Sequence, residues 1–193
     1  GVIPPMADQP GFAEEAVRFR GEAVAMVVGD VDAVERLDLE QFPISWEPLD
    51  AHTEPGVAAE PGAHLVHDDR PGNVLVRGRV SQGNVDAAMS AADHVVEASY
   101  RTPFVEHAYI EPEAGSATRV EDRVEITVTT QTPYMDRGVL AAILGLDGDQ
   151  VVVRPTAVGG GFGSKLDLSV QPFLALAAWQ LGRPVRITYT RPE

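Results

Sequence analysis

The run Val158-Gly-Gly-Gly-Phe-Gly-Ser-Lys165 sets four glycines around one aromatic and follows them with a lysine. Glycine this dense can prolong neither a helix nor a strand; it marks backbone that turns where other residues cannot, or that must come very close to another group. A loop of free N–H groups suits an anionic or polar ligand. Two phosphate-binding patterns nevertheless fail here. The P-loop pattern needs Gly-Lys-Ser/Thr, whereas Ser164 precedes Lys165 and Leu166 follows it. The dinucleotide fingerprint would need a glycine where Ser164 stands and an acidic residue about 20 positions later in a crossover unit. The plain alternative is a glycine-rich turn between a strand at Val151–Arg154 and a helix beginning near Asp167 or Ser169.

Two stretches upstream carry further chemistry. Glu106-His-Ala-Tyr-Ile-Glu-Pro-Glu113 gathers three carboxylates and a histidine within eight residues, a composition that serves a metal or acid–base site. In extended chain, Glu111 and Glu113 share a face with His107 and Tyr109, and Pro112 interrupts any ladder, so a carboxylate satisfying local backbone donors is the favoured reading. Val124–Thr130 alternates apolar and polar residues as a half-buried strand does and delivers Gln131 at its end. On its own, Gln131 could simply cap a turn at Thr132-Pro133.

Around these stretches the pattern is α+β. Val17–Arg20 and Ala23–Val28 read as strands hinged at Gly21-Glu22, Val31–Leu39 as a helix capped by Asp30, and Phe42–Glu47 as a returning strand. Residues 50–73 are broken by prolines and glycines and read as a linker whose His64 and His67 are solvated. Val74–Val80 and Val95–Tyr100 read as strands flanking a short helix capped by Asn84 or Asp86. Tyr134–Leu144 predicts an amphipathic helix on Met135, Val139 and Ile143, with Leu140 and Leu144 alongside, ended by Gly145; a second helix, with Pro172 in its first turn, carries Phe173, Leu176, Ala177 and Leu181 before Gly182. Pro184–Tyr189 closes the pattern as a strand.

With 29 acidic against 15 basic side chains, the net charge of −14 argues against broad contact with nucleic acid or anionic membrane. Zero cysteines exclude disulfides and thiolate ligation of zinc or iron–sulfur clusters by these residues. The absence of a basic-then-apolar opening, and of any run of the roughly 18 apolar residues that span a bilayer, predicts a soluble, cytoplasmic chain. The opening Gly1-Val-Ile-Pro-Pro-Met-Ala lacks an initiator Met and reads as an internal start.

Taken together, four ordered stretches resemble the molybdenum hydroxylases, the xanthine dehydrogenase and aldehyde oxidase family. Val17–Val28 is similar to strands of that family's hammerhead domain, Glu106–Gly115 and Thr130–Pro133 to two motifs of its molybdopterin-binding domain, and Val158–Lys165 to its Gly-Gly-Gly-Phe-Gly-Gly-Lys loop. The resemblance implies the end of an α/β hammerhead domain over residues 1–49, a linker over 50–73, and the first part of a molybdopterin-binding α+β domain over 74–193. It implies that Gln131 faces an oxygen ligand of molybdenum, that Gly160, Gly161, Phe162 and Gly163 approach the cofactor, and that Phe162 and Leu166 line the substrate pocket. No residue here is implied to ligate metal or to act as catalyst, because the family's base glutamate belongs to a C-terminal motif absent from the sequence.

By the same resemblance, the activity is hydroxylation of an aldehyde or nitrogen heterocycle with water as oxygen source. The cofactor would be molybdopterin in its cytosine dinucleotide form, with 2Fe-2S and FAD on partner domains or subunits. The chain would be a fragment, inactive without the remainder of the large subunit. Ser164 replaces the family's glycine, and Leu166 stands where purine-oxidising members carry a glutamate, which disfavours purines. Those two departures suit an alternative, a stand-alone non-catalytic binding or assembly module on the same scaffold.

Overall fold

A computed structural model describes residues 9–193. The first half of the expected irregular lead-in, residues 1–8, lies outside the described residues. The chain forms two compact units, one gathering the described residues up to Ile44 with His107–Glu193, the other Ser45–Glu106.

In the first unit, helix α1 is only Val31–Val34, followed by a 3-10 turn at Leu39–Gln41, so the single helix expected over Val31–Leu39 is broken. Asp30 takes the N-cap position without a side-chain hydrogen bond; its backbone carbonyl accepts from Ala33 and Val34. The runs Val17–Arg20, Ala23–Val28 and Phe42–Glu47 join no ladder. Ala13 N–H donates to the Ala23 carbonyl, and the buried Glu22 carboxylate accepts from Arg18 N–H at 2.6 Å.

In the second unit, α2 (Pro55–Ala58) and α3 (Val85–Ala91) are its helices, with a 3-10 turn at Pro71–Asn73. Asn84 caps α3 by accepting from Ala87 N–H. His52 and His64 stack at 3.9 Å. Neither Val74–Val80 nor Val95–Tyr100 pairs with another strand, and Val80 and Val96 are exposed. The β-propensity of those runs reflects a preference for packing on a pleated neighbour, and among the described residues there is none.

The rest of the first unit is a sheet with two helices. Strands β1 (Ala114–Val120) and β2 (Arg123–Val128) form an antiparallel hairpin across Glu121-Asp122. Helix α4 (Pro133–Leu144), capped by Gly145 in the left-handed region, then crosses to β3 (Val151–Pro155), which lies parallel to β2. Helix α5 (Gln171–Leu181) leads to β4 (Val185–Thr188), antiparallel to β1, giving the order β3-β2-β1-β4. The α+β class holds.

Strand β1 escapes the sequence pattern because it opens with Ala114-Gly-Ser-Ala117, which lacks the branched and aromatic residues that strands favour. The structure supplies the reason for Gly115: a Cβ there would stand 2.8 Å from Leu174 Cδ1 and 3.0 Å from the Thr127 carbonyl oxygen. Small residues let α5 lie close on the central strand. The core joins Val124, Ile126 and Val128 of β2 to Leu140, Val170, Leu174, Ala175 and Ala178.

Each helix buries part of its expected face, Leu140 in α4 and Ala177 in α5, together with residues outside it. Helix α4 buries Asp136, Leu140 and Ala141, leaving Met135 and Ile143 about half exposed. Helix α5 buries Gln171, Leu174, Ala175, Ala177 and Ala178, and Leu181 is exposed. A search for large apolar residues at helical spacing misses a buried face built from alanine and from polar groups that find partners inside.

Candidate functional site

The site is assembled from three stretches of the first unit: 107–113, which runs into β1; 129–132, which follows β2; and 158–166, which follows β3. The sheet brings the last two together, because β2 and β3 are parallel neighbours and both chains leave at the same end. Thr156 N–H donates to the Val128 carbonyl, and Gln131 N–H to the Lys165 carbonyl, so the two exits stay side by side.

Glycine is required in the loop for a visible reason. A Cβ at Gly159 would meet Glu111 Cβ at 2.6 Å, one at Gly160 would meet Tyr109 Cβ at 3.0 Å, and one at Gly161 would meet Gln131 Oε1 at 2.5 Å. The loop lies flat on the 109–111 segment and on Gln131, with no room for side chains between. Phe162 sits at φ 53°, in the left-handed region that a bulky residue avoids, and its ring is 77% exposed. Phe162 is the one residue of the loop that is not glycine and sits in the left-handed region, a backbone strain of the kind that gathers at functional sites.

The donor inventory follows. Gly159 N–H donates to Glu111 Oε2 at 2.8 Å, and Gly163 N–H to Gln131 Oε1 at 3.1 Å. Ser164 N–H returns to the Gly161 carbonyl and Leu166 N–H to that of Gly163, closing a 3-10 turn over Ser164–Leu166. Three successive amides, those of Gly160, Gly161 and Phe162, find no acceptor among the described residues. With Gln131 Oε1 engaged by Gly163, the Gln131 Nε2 group is left to donate from an exposed position.

Beneath the loop, Lys165 is buried and its Nζ donates to Glu111 Oε2 at 2.8 Å, with Thr129 Oγ1 at 3.5 Å and the Tyr109 ring centroid at 4.8 Å. The Lys165 hydrogen bond, aided by the Gly159 amide, holds the Glu111 carboxyl below its ordinary range against the opposing effect of desolvation. Tyr109 donates to Glu113, and Arg191 grips the Tyr109 and Ile110 carbonyls. Glu111 thus satisfies a backbone donor, though not a local one as expected: the amide is Gly159, 48 residues on.

Sequence reasoning named Gln131, Gly160, Gly161, Phe162, Gly163 and Leu166; the fold gathers all six at one end of the sheet. Leu166 is partly exposed and its carbonyl accepts from Thr132 Oγ1 at 3.2 Å. Ser164 adopts ordinary negative φ, so its Cβ strains nothing in the loop. Two polar residues were missed. Lys165 looked like an afterthought to the glycines, and Asp136 lay inside an apparently apolar helix. Asp136 is 2% exposed, its Oδ1 lies 3.4 Å from Thr132 Oγ1, and its Oδ2 has no hydrogen-bond partner among the described residues. Burial raises its pKa, opposed by Thr130, Thr132 and Gln171.

No group of three or more potential metal-ligating side chains occurs among the described residues, His64 and His67 included, and no described helix is long and apolar enough to cross a membrane.

Comparison with known proteins yields a consistent set. The molybdopterin cofactor-binding domain model matches residues 66–193. The chain is 35% identical over 194 residues to a probable xanthine dehydrogenase component of Bacillus subtilis, covering 100% of this chain and 26% of that protein. It is also 35% identical to the nicotinate dehydrogenase large molybdopterin subunit of Eubacterium barkeri, of which it spans 45%. Among solved structures, the aldehyde oxidoreductase of Desulfovibrio gigas matches 75% of this chain and 16% of its own, with a TM-score of 0.65 and 29% identity. The chain spans less than half the length of these relatives. By its matched domain and these likenesses, the chain belongs to the molybdenum hydroxylase family, as part of the molybdopterin cofactor-binding region.

Proposed function

We propose that this chain forms one wall of a molybdopterin site in the large subunit of a hydroxylase acting on an aldehyde or nitrogen heterocycle. The observation that carries the reading is the donor set at the loop. The acceptor-free amides of Gly160, Gly161 and Phe162 stand beside a glutamine whose Oε1 is already taken, so the surface offers donors and little else to an oxygen-rich ligand. A molybdenum–pterin group fits that chemistry, since its oxo and phosphate oxygens are acceptors. Glycine at 160 and 161 lets such a ligand reach the backbone.

In this reading Gln131 Nε2 donates to an oxygen ligand of the metal, the Gly160–Phe162 amides approach the cofactor, and Gly163 fixes Gln131 in the orientation that exposes its donors. The Phe162 ring and Leu166 wall the substrate pocket, the ring by stacking on a planar heterocycle. Leu166 brings no carboxylate, and a purine is disfavoured. When bound, the molybdenum group supplies oxidation of a substrate carbon with water as the oxygen source. The proton-accepting glutamate of the family is proposed to come from elsewhere in the subunit, and the 193 residues alone are proposed to be inactive. The cytosine dinucleotide form of the pterin, iron–sulfur and flavin carriers on partner domains or subunits, a cytoplasmic setting, and the division into hammerhead end, linker and cofactor domain complete the proposal.

The test is Q131A and F162A in the full large subunit, with molybdenum content and turnover measured on the same sample. Loss of molybdenum in Q131A and of turnover in F162A is expected. Wild-type values for both would remove the reading, and the assembly-module alternative would stand in its place.

A further inference from the structure

We propose that Glu111 is a positioning residue: one carboxylate oxygen bridges Gly159 N–H at the start of the glycine loop and the Lys165 ammonium at its end, and this bridge sets the shape of the loop before any ligand binds. Both distances are 2.8 Å and both fall on Oε2. The loop is therefore closed at its two ends on a single atom. Glu111 N–H donates in turn to the Gly159 carbonyl at 3.3 Å, so the backbone contact is reciprocal.

Burial makes the bridge electrostatic as well as geometric. The Lys165 side chain is 2% exposed, and among the described residues Glu111 is its one carboxylate partner within ion-pair distance. A buried ammonium without its carboxylate is strongly disfavoured, so the loop's end cannot drift from Glu111 without leaving a charge unpaired. Other polar groups frame the pair. Tyr109 lies against Lys165 and donates to Glu113, Arg191 holds the Tyr109 and Ile110 carbonyls, and His107 lies near Gly163. Between the pinned ends lie the three acceptor-free amides and the strained Phe162, and these gain most from having their path fixed in advance.

The experiment uses the full large subunit carrying E111Q, K165M or both. E111Q keeps the shape and an acceptor for Gly159 but leaves Lys165 unpaired; the double variant removes both charges. Hydrogen exchange is followed in a peptide covering Gly159–Leu166 and, as internal control, in one covering Arg119–Ile126. Each single variant should speed exchange in the loop by at least about tenfold with the control unmoved, and the double variant should recover part of that protection. Unchanged loop exchange in E111Q, equal acceleration in both peptides, or a double variant no better than the sum of the singles would overturn the bridge. Molybdenum content forms a second arm that rests on the cofactor reading above; it should fall in E111Q and K165M. If Q131A and F162A retain molybdenum, that reading fails, while the exchange pattern still decides the role of Glu111.

Discussion

Gln131 and Gly163 hold each other. The Gly163 amide donates to Gln131 Oε1 at 3.1 Å across 32 residues of sequence, while a Cβ two residues earlier, at Gly161, would stand 2.5 Å from that same oxygen. Gly161 lies close against the oxygen that Gly163 binds, and the amide nitrogen of the glutamine is what remains to donate.

This arrangement separates two glycine substitutions. In G161A the new methyl meets the tip of a flexible side chain, so Gln131 can swing away; stability should fall by less than about 1 kcal/mol while molybdenum content drops sharply. In G159A the methyl meets Glu111 Cβ, which cannot move without backbone, and stability should fall by about 1–3 kcal/mol. Denaturant midpoints and metal analysis on the two variants distinguish the cases.

How far the sequence alone reached depends on the kind of residue. The strands β2 and β3, the glycine-stopped helices and the Gly159–Gly163 run carry local signals: alternation, a left-handed stop, a dense glycine run; Gln131 and Leu166 are singled out only by the family resemblance. Strand β1 carries none, because Gly115 answers to a helix that arrives 59 positions later in the chain at Leu174. Lys165 and Glu111 acquire their meaning only as a pair, and neither position announces the other. The unpaired Val74–Val80 and Val95–Tyr100 show the opposite failure, in which a local signal has no tertiary partner among the described residues.

Phe162 offers a test of strain. Replacement by alanine keeps a Cβ at φ 53°, whereas glycine relieves it, and little burial is lost in either case because the ring is 77% exposed. F162G should be at least as stable as F162A, with both within about 1 kcal/mol of the parent by thermal unfolding. Both should lose turnover in the full subunit.

Asp136 predicts a pH dependence of definite sign. Burial raises its folded pKa above the unfolded value, so the folded state holds the proton more tightly. The stabilisation is complete below the ordinary aspartate range and is lost as pH rises through the folded pKa. D136N, neutral at every pH, should flatten that decline. Urea midpoints measured from about pH 3 to pH 8 on parent and variant check it, and parallel curves would dismiss the assignment.

Core and surface positions should part cleanly. Ile126 is fully buried between sheet and helices, and I126A should cost about 2–5 kcal/mol. Val80 is fully exposed, and V80T should change stability by no more than about 0.5 kcal/mol, although both residues sit in runs that look like strands. Equilibrium unfolding of the pair measures the difference.

The long sequence separations within the site bear on the order of events as the protein folds. The β1–β2 hairpin closes across Glu121-Asp122, while Lys165 reaches Glu111 over 54 residues and Gly163 reaches Gln131 over 32. Loop-closure entropy favours the short-range ladder early and those two contacts later. Weakening either contact would then quicken unfolding while leaving the refolding rate nearly untouched. On this ordering the glycine-loop end of the sheet would assemble after the hairpin and open before it.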